Sequence, residues 1–200
     1  MTESEWLKCS DPLPMLDFLR GRAGDRKLRL FAAACSRRVW HWIDDLGRQA
    51  VEAAEAFADG LMGPEELRAA RLACRSAGER AAWYAAASDP FKAAGNAARS
   101  ALGGVALSQQ PAECAAQADL LRDIIGNPFR PLMTDPIWRT SKVVGLAQII
   151  YDSRAFDRMA GLADALEEAG CDNAAILSHC RQPGEHVRGC WVLDALLGKE

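Results

Sequence analysis

Thirty-seven alanines in a chain of 200 residues, with few β-branched side chains among them, restrict this sequence to helix almost everywhere. Alanine gives up no side-chain entropy in a helix and has no branched surface with which to cover a pleated sheet. The prolines punctuate this pattern rather than interrupt it. Pro12, Pro14, Pro64, Pro90, Pro111, Pro128, Pro131, Pro136 and Pro183 all fall between periodic segments or in the first turn of one, where a missing N–H costs nothing. The expected fold class is all-α, a multi-helix bundle of about eight to ten helices.

The spacing predicts these helices in detail. A short helix over 15–20 leads into the Gly21 to Gly24 turn, and Asp25 is placed to cap a long helix reaching about Leu46. Leu28, Phe31, Ala32, Cys35, Val39, Trp42, Ile43 and Leu46 form its apolar stripe at three- and four-residue spacing. A third helix over 48–59 stops at Asp59-Gly60. Gly63-Pro64-Glu65-Glu66 starts a fourth, in which Leu67, Ala70, Cys74, Ala77, Ala81 and Tyr84 read as one continuous heptad-like run. Ser88-Asp89-Pro90 opens a fifth and Pro111 a sixth, whose apolar face is Cys114, Ala118, Leu121 and Ile125. After the proline-stiffened stretch GNPFRPLMTDP, four shorter helices are expected over 138–151, 155–169, 173–180 and 185–197, docked through Trp138, Phe156 and Trp191. The expectation is one helical domain over 1–200, sub-divided into an N-terminal bundle, 1–126, and a C-terminal group of short helices, 137–200.

With 50% hydrophobic and 26% charged residues and a mean hydropathy of −0.12, the chain has the composition of a globular protein with an ordinary core. A net charge of −3 and a pI near 5.7 exclude the basic surplus of a broad nucleic-acid or anionic-membrane footprint. No apolar run approaches the ~18 residues of a membrane span, and MTESEWLKCSDPLP lacks the basic start and apolar stretch of a secretory signal. Seven cysteines, an odd number and several of them on apolar faces, suit free thiols in a reducing cytoplasm.

Several phrases carry a resemblance: EWLKCSDPLPMLDFLRG with DRKLRLFAAACSRRVWHW near the start, LLRDIIGNPFRP in the middle, and the ending from IIYDSRAFDRMAGLADALEEAGCDN through HCRQPGEHVRGCWVLDALLGK. Together they cover most of the chain, and GNPFRP and HVRGCW are the most specific of them. They resemble an uncharacterised family of proteins and domains abundant in planctomycete bacteria, often next to or within larger multidomain proteins. The resemblance implies a stand-alone copy of an accessory module. It brings no activity, cofactor or catalytic residue with it.

The densest chemistry lies in the tail, where Cys171, His179, Cys180, His186 and Cys190 share one window. Cys171, Cys180, His186 and Cys190 are the candidate zinc ligands, with His186 and Cys190 four apart and on one face if the last helix contains both. No C-x-x-C knuckle supports this set, and the competing reading makes the cysteines core spacers and the histidines caps of carbonyls at the turn. A Cys/His nucleophilic pair lacks any local signature. His41 with Asp45 at i+4 has the spacing of an oriented general base and equally of a surface pair. Arg22, Arg26, Arg29 and Arg37, within a run that also holds Arg20, Lys27 and Arg38, are the candidate interaction residues for phosphate or an acidic partner; a solvated face is the alternative. LADALEEAGCDNAAILSHCR has the cadence of a DNA-reading helix pair, but its second helix offers only Asn173, Ser178, His179 and Arg181. No P-loop, dinucleotide, nucleophile-elbow or HExxH motif occurs, and adjacent acids such as Asp44-Asp45, Glu65-Glu66 and Glu167-Glu168 diverge around a helix. The reading is therefore a non-catalytic helical module without a cofactor, acting on a protein partner the sequence does not identify. A zinc-binding protein built on the tail is the first alternative, and nucleic-acid binding through the Arg22 to Arg38 run the second.

Overall fold

The computed structural model describes residues 1–74, 80–130 and 135–199. The fold is all-α: it is 73% helical, without strands among the described residues. The first eight helices are α1 (Glu3–Lys8), α2 (Pro12–Leu19), α3 (Asp25–Arg38), α4 (Asp45–Ala58), α5 (Pro64–Ala73), α6 (Arg80–Ala85), α7 (Pro90–Gly103) and α8 (Gln110–Ile125). Four follow: α9 (Ser141–Ser153), α10 (Met159–Glu168), α11 (Ala174–Arg181) and α12 (Trp191–Leu197). None is long and apolar enough to cross a membrane.

α3 is the axis of the first half. Leu28 to Ser36 are all buried, because α4, α6, α7 and α8 pack around it. Against it α7 sets Ala93, Ala94, Ala97, Ala98 and Ala101, every one buried. A face of methyl groups lets two helix axes approach closely, which explains where so much alanine is used. Asp11, Asp44, Asp89, Asp135, Thr140 and Asn173 accept backbone N–H bonds as side-chain caps, so these helix starts carry their own punctuation.

Three boundaries differ from the pattern-based expectation. The long helix does not reach Leu46: it ends at Arg38, a 3-10 turn spans Trp40–Trp42, and Asp44 caps a new helix by accepting the Gly47 N–H at 2.9 Å. Val39 and Ile43 stay buried while Trp42 and Leu46, expected on the same stripe, are exposed. The Asp44-Asp45 pair is thus a helix start at the positive end of the dipole. The heptad run is divided between α5 and α6, and its Ala77 lies outside the described residues, as do residues 131–134 of the proline-rich stretch. Finally, the last helix begins at Trp191 rather than at Glu185, so His186 and Cys190 lie on the connecting loop and its cap.

Buried apolar residues form two clusters. One runs from Trp6 to Ile124 and takes in Val187; the other spans Trp138 to Leu196. Buried ion pairs do much of the joining between them. Arg26 and Lys27 meet Asp194, Arg154 meets Glu55, Tyr151 donates its hydroxyl to Asp59, and Arg38 reaches Glu185. Two glycines let backbone approach across this seam. Gly126, at φ +74°, leaves no space for a Cβ, which would lie 3.1 Å from the Trp191 ring. Gly189, at φ +89°, would place a Cβ 2.8 Å from Leu30 Cδ1. Gly189→Ala combines a disfavoured left-handed backbone with that overlap and is expected to cost about 2–3 kcal/mol. Denaturant unfolding checks it, and a variant as stable as the parent would show that Leu30 yields freely and the close approach is not constrained.

Candidate metal centre

Four ionisable side chains from three separate segments converge at the seam. Asp123 comes from the last turn of α8, His179 from α11, His186 from the loop after it, and Cys190 from the residue that precedes α12. Their ligand atoms all lie within 4.8 Å of one another. His179 Nε2 is 3.1 Å from Asp123 Oδ1 and 3.2 Å from Cys190 Sγ, and His186 Nδ1 is 2.6 Å from the same Asp123 oxygen. All four residues are buried, none more than 8% exposed. Tetrahedral coordination at about 2.0–2.3 Å puts ligand atoms roughly 3.3–3.8 Å apart. The contacts of 2.6–3.2 Å would therefore have to open around an ion, and the group, which spans up to 4.8 Å, to rearrange slightly.

The surroundings aim these groups. The Val187 N–H donates to Asp123 Oδ2 at 3.0 Å, leaving Oδ1 to face the histidines. The Gln182 side-chain amide nitrogen lies 3.2 Å from His179 Nδ1, so a neutral His179 bonded this way carries its proton on Nε2. With the amide turned over, its oxygen would accept from Nδ1–H and leave Nε2 free to coordinate. Trp191 packs against the His179 ring with centroids 4.9 Å apart, and the two imidazoles meet edge to face at 4.8 Å. Lys27 approaches from behind, donating to the carbonyls of Ile124 and Gly189.

Hydrogen bonding alone leaves this arrangement incomplete. If His179 Nε2 carries a proton and donates it to Asp123, it offers Cys190 no acceptor, and His186 Nε2 is buried with no hydrogen-bond partner. Burial works to raise the Asp123 carboxyl, yet hydrogen bonds from both histidines prevail and hold it below the usual carboxylate range. Burial, and then Asp123, push the Cys190 thiol well up. A divalent cation among the four would draw off the thiol proton, and would satisfy the orphaned His186 nitrogen if His186 coordinates through Nε2 while Nδ1–H stays on Asp123.

His179 is not arranged as the base of a Cys/His/Asp catalytic relay. A general base holds its nucleophile on one ring nitrogen and its orienting acid on the other. Here Cys190 and Asp123 both lie on Nε2 of His179, and Cys190 is fully buried.

Of the expected zinc ligands, His186 and Cys190 are in the cluster and Cys171 and Cys180 are not. The correction follows from helix geometry: Cys180 is about 100° around α11 from His179, so with His179 turned to Asp123 it points into the C-terminal apolar cluster, where Cys171 also lies. Burial raises both thiols, that of Cys180 to about 12. Asp123 is the candidate ligand that sequence reading missed, and His179 was placed only as a cap. Asp123 stands 56 residues before His179, and its helix buries Glu113 and Gln117 as well, which hides a buried acid among others.

The candidate interaction arginines do not form a common outer face. Arg26 is bonded to Asp59, Asp194 and Tyr151, and Arg37 makes a two-pronged pair with Glu55 at 2.7 and 2.8 Å. Arg29 is buried, donating to the carbonyls of Ala85, Ala87 and Ser88. Only Arg22 is exposed, over the Phe18 ring. Their acids come from elements far along the chain, which a local reading of charge cannot see. The helix pair α10 and α11 is present, but Asn173 caps α11, His179 is in the cluster and Arg181 is paired with Asp164 and Glu167. His41 is exposed on the 3-10 turn, its ring tilted against that of Trp42, and Asp45 pairs with Arg48 instead. Comparison of the chain with protein-family models, curated proteins and solved structures finds no match.

Proposed function

We propose that this protein is a zinc-stapled helical module that acts by binding a partner and not by catalysis. The observation that carries the reading is the convergence of four buried ligand atoms, from Asp123, His179, His186 and Cys190, contributed by three segments. A carboxylate, two imidazoles and a thiolate form a borderline donor set that suits zinc. Four protein donors also close a tetrahedral shell, leaving no coordination position for substrate, which is the arrangement of structural sites. Because Asp123 belongs to a helix of the first apolar cluster while His179 and Cys190 belong with the second, the metal would staple the two together.

Elemental analysis of the full chain, purified without chelator and dialysed against micromolar zinc, tests this directly. About one zinc per chain is expected, against well under one for Cys190→Ala. Metal far below one per chain after zinc exposure, or equal loading of parent and variant, would reject the staple.

A further inference from the structure

Beside the metal cluster, positive charge outnumbers negative. Arg26, Lys27 and Arg37 of α3, Arg154 after α9, Arg188 of the loop and Lys199 after α12 all face the same three buried acids: Glu55, Asp59 and Asp194. Those acids are already engaged. Glu55 receives Arg37 and Arg154, Asp194 receives Arg26 and Lys27, and Asp59 receives two Arg26 N–H groups at 3.0 and 3.1 Å as well as the Tyr151 hydroxyl at 2.7 Å.

Arg188 and Lys199 make only long ion pairs, both with the already shared Asp59. They come no nearer Asp59 than 3.9 and 3.8 Å, beyond hydrogen-bond distance, and both stand against the Tyr151 ring, at 5.2 and 4.6 Å from its centroid. The Arg188 Nε is buried without a hydrogen-bond partner. Among the described residues the Arg188 guanidinium makes one hydrogen bond, to the Asp152 backbone carbonyl at 3.5 Å, while the Asp152 carboxylate is bonded by Gln148. Burial, offset in part by Glu55, and then the like charges of Arg37 and Arg188 lower the Arg154 pKa, so the cations along this line are crowded. These six cations thus share three acids, in a chain whose total charge is −3.

We infer that this seam is an oxyanion site that takes the phosphate group of a small ligand, held by Arg188 and Lys199 beside the Tyr151 ring with Arg154 at its edge. A guanidinium fork and a point-charge ammonium together suit a tetrahedral dianion, whereas a single carboxylate would leave most of the surplus unmatched. The three cations keep 20–28% of their side chains exposed, so the site is open to solvent. A nucleic-acid backbone fits less well, because cations on other faces, such as Arg20, Lys92 and Lys142, are already paired with neighbouring acids. The inference does not depend on the metal, since it rests on unmatched cations and not on the four ligands.

The test is thermal unfolding of the metal-loaded full chain with inorganic phosphate, against sodium chloride of matched ionic strength. Phosphate is the probe because pyrophosphate would also strip a bound metal. A saturable rise is expected, about 3–5 °C at ten times the dissociation constant for a chain of this size. Lys199→Gln is expected to shift the phosphate midpoint about tenfold upward, and Arg188→Gln to abolish the response. Lys92→Gln serves as the control and should respond like the parent. If Arg188→Gln does not fold, Lys199→Gln decides. Equal shifts in phosphate and chloride, or a parent-like response of Lys199→Gln, would overturn the site. Tight binding of a DNA duplex that free phosphate cannot displace would overturn the choice of a small ligand.

Discussion

Cys190→Ser and His186→Ala are each expected to lose the bound zinc and to lower the melting temperature by about 6–20 °C. The range follows from about 3–5 kcal/mol for removing one member of a buried charged group, at roughly 2–4 °C per kcal/mol for a chain of this length. His186→Ala also leaves the buried Asp123 carboxylate with one fewer partner, so its loss includes the cost of a less well matched charge. Chelator should lower the melting temperature of the parent and leave Cys190→Ser unchanged, because the variant has no metal to lose. Cys171→Ser is the informative control. It alters a buried thiol outside the cluster and is expected to retain the metal while losing some packing energy. Calorimetry with parallel metal analysis reads both quantities. A parent that melts at one temperature with and without chelator would reduce Asp123, His179, His186 and Cys190 to a hydrogen-bonded core network.

The helices were legible because their signals are local. Proline in first turns, capping Asp and Thr, and three-and-four spacing each act within a few residues, and most elements begin where those signals fall. The break between α3 and α4 was missed because an apolar stripe continues through Val39 and Ile43 across a change of direction. The Asp44-Asp45 pair that marks the new helix reads equally as a solvated face. The site was legible only in its local half. His186 and Cys190 stood out as soft ligands close together, but His179 looked like a cap and Asp123 like one more acid on a helix. Nothing in spacing tells that α8 lies against the 182–190 loop. That proximity comes from long-range packing: Lys27 bonding to Ile124 and Gly189, and Val187 bonding to Asp123. The basic run shows the same limit in reverse. Seven cations in one stretch suggested an outer face until Asp59, Asp194, Glu55 and Glu113 arrived from elsewhere in the chain to meet four of them.

Asp194→Ala is expected to destabilise the protein by about 3–5 kcal/mol, again about 6–20 °C in melting temperature, with no direct loss of a metal ligand. Asp194 is 2% exposed and is shared by Arg26 and Lys27, so its removal leaves two cations in the seam without their common acid. The remaining acid there, Asp59, already receives Arg26 and Tyr151 and lies 3.8–3.9 Å from two further cations. Asp194→Asn keeps the volume and one acceptor oxygen but not the charge. A loss as large as that of Asp194→Ala would therefore assign the effect to charge rather than to packing. Lys27→Met, combined with Asp194→Ala, removes one of the stranded cations and should recover part of the loss, giving a positive coupling in the double-mutant cycle. Additive losses would mean that Lys27 is held mainly by the Ile124 and Gly189 carbonyls, and that the seam is joined by helix ends more than by ion pairs. Because Gly189 directly precedes Cys190, that outcome would also make Lys27 a positioning residue for the metal cluster, visible as weaker zinc retention in Lys27→Met alone.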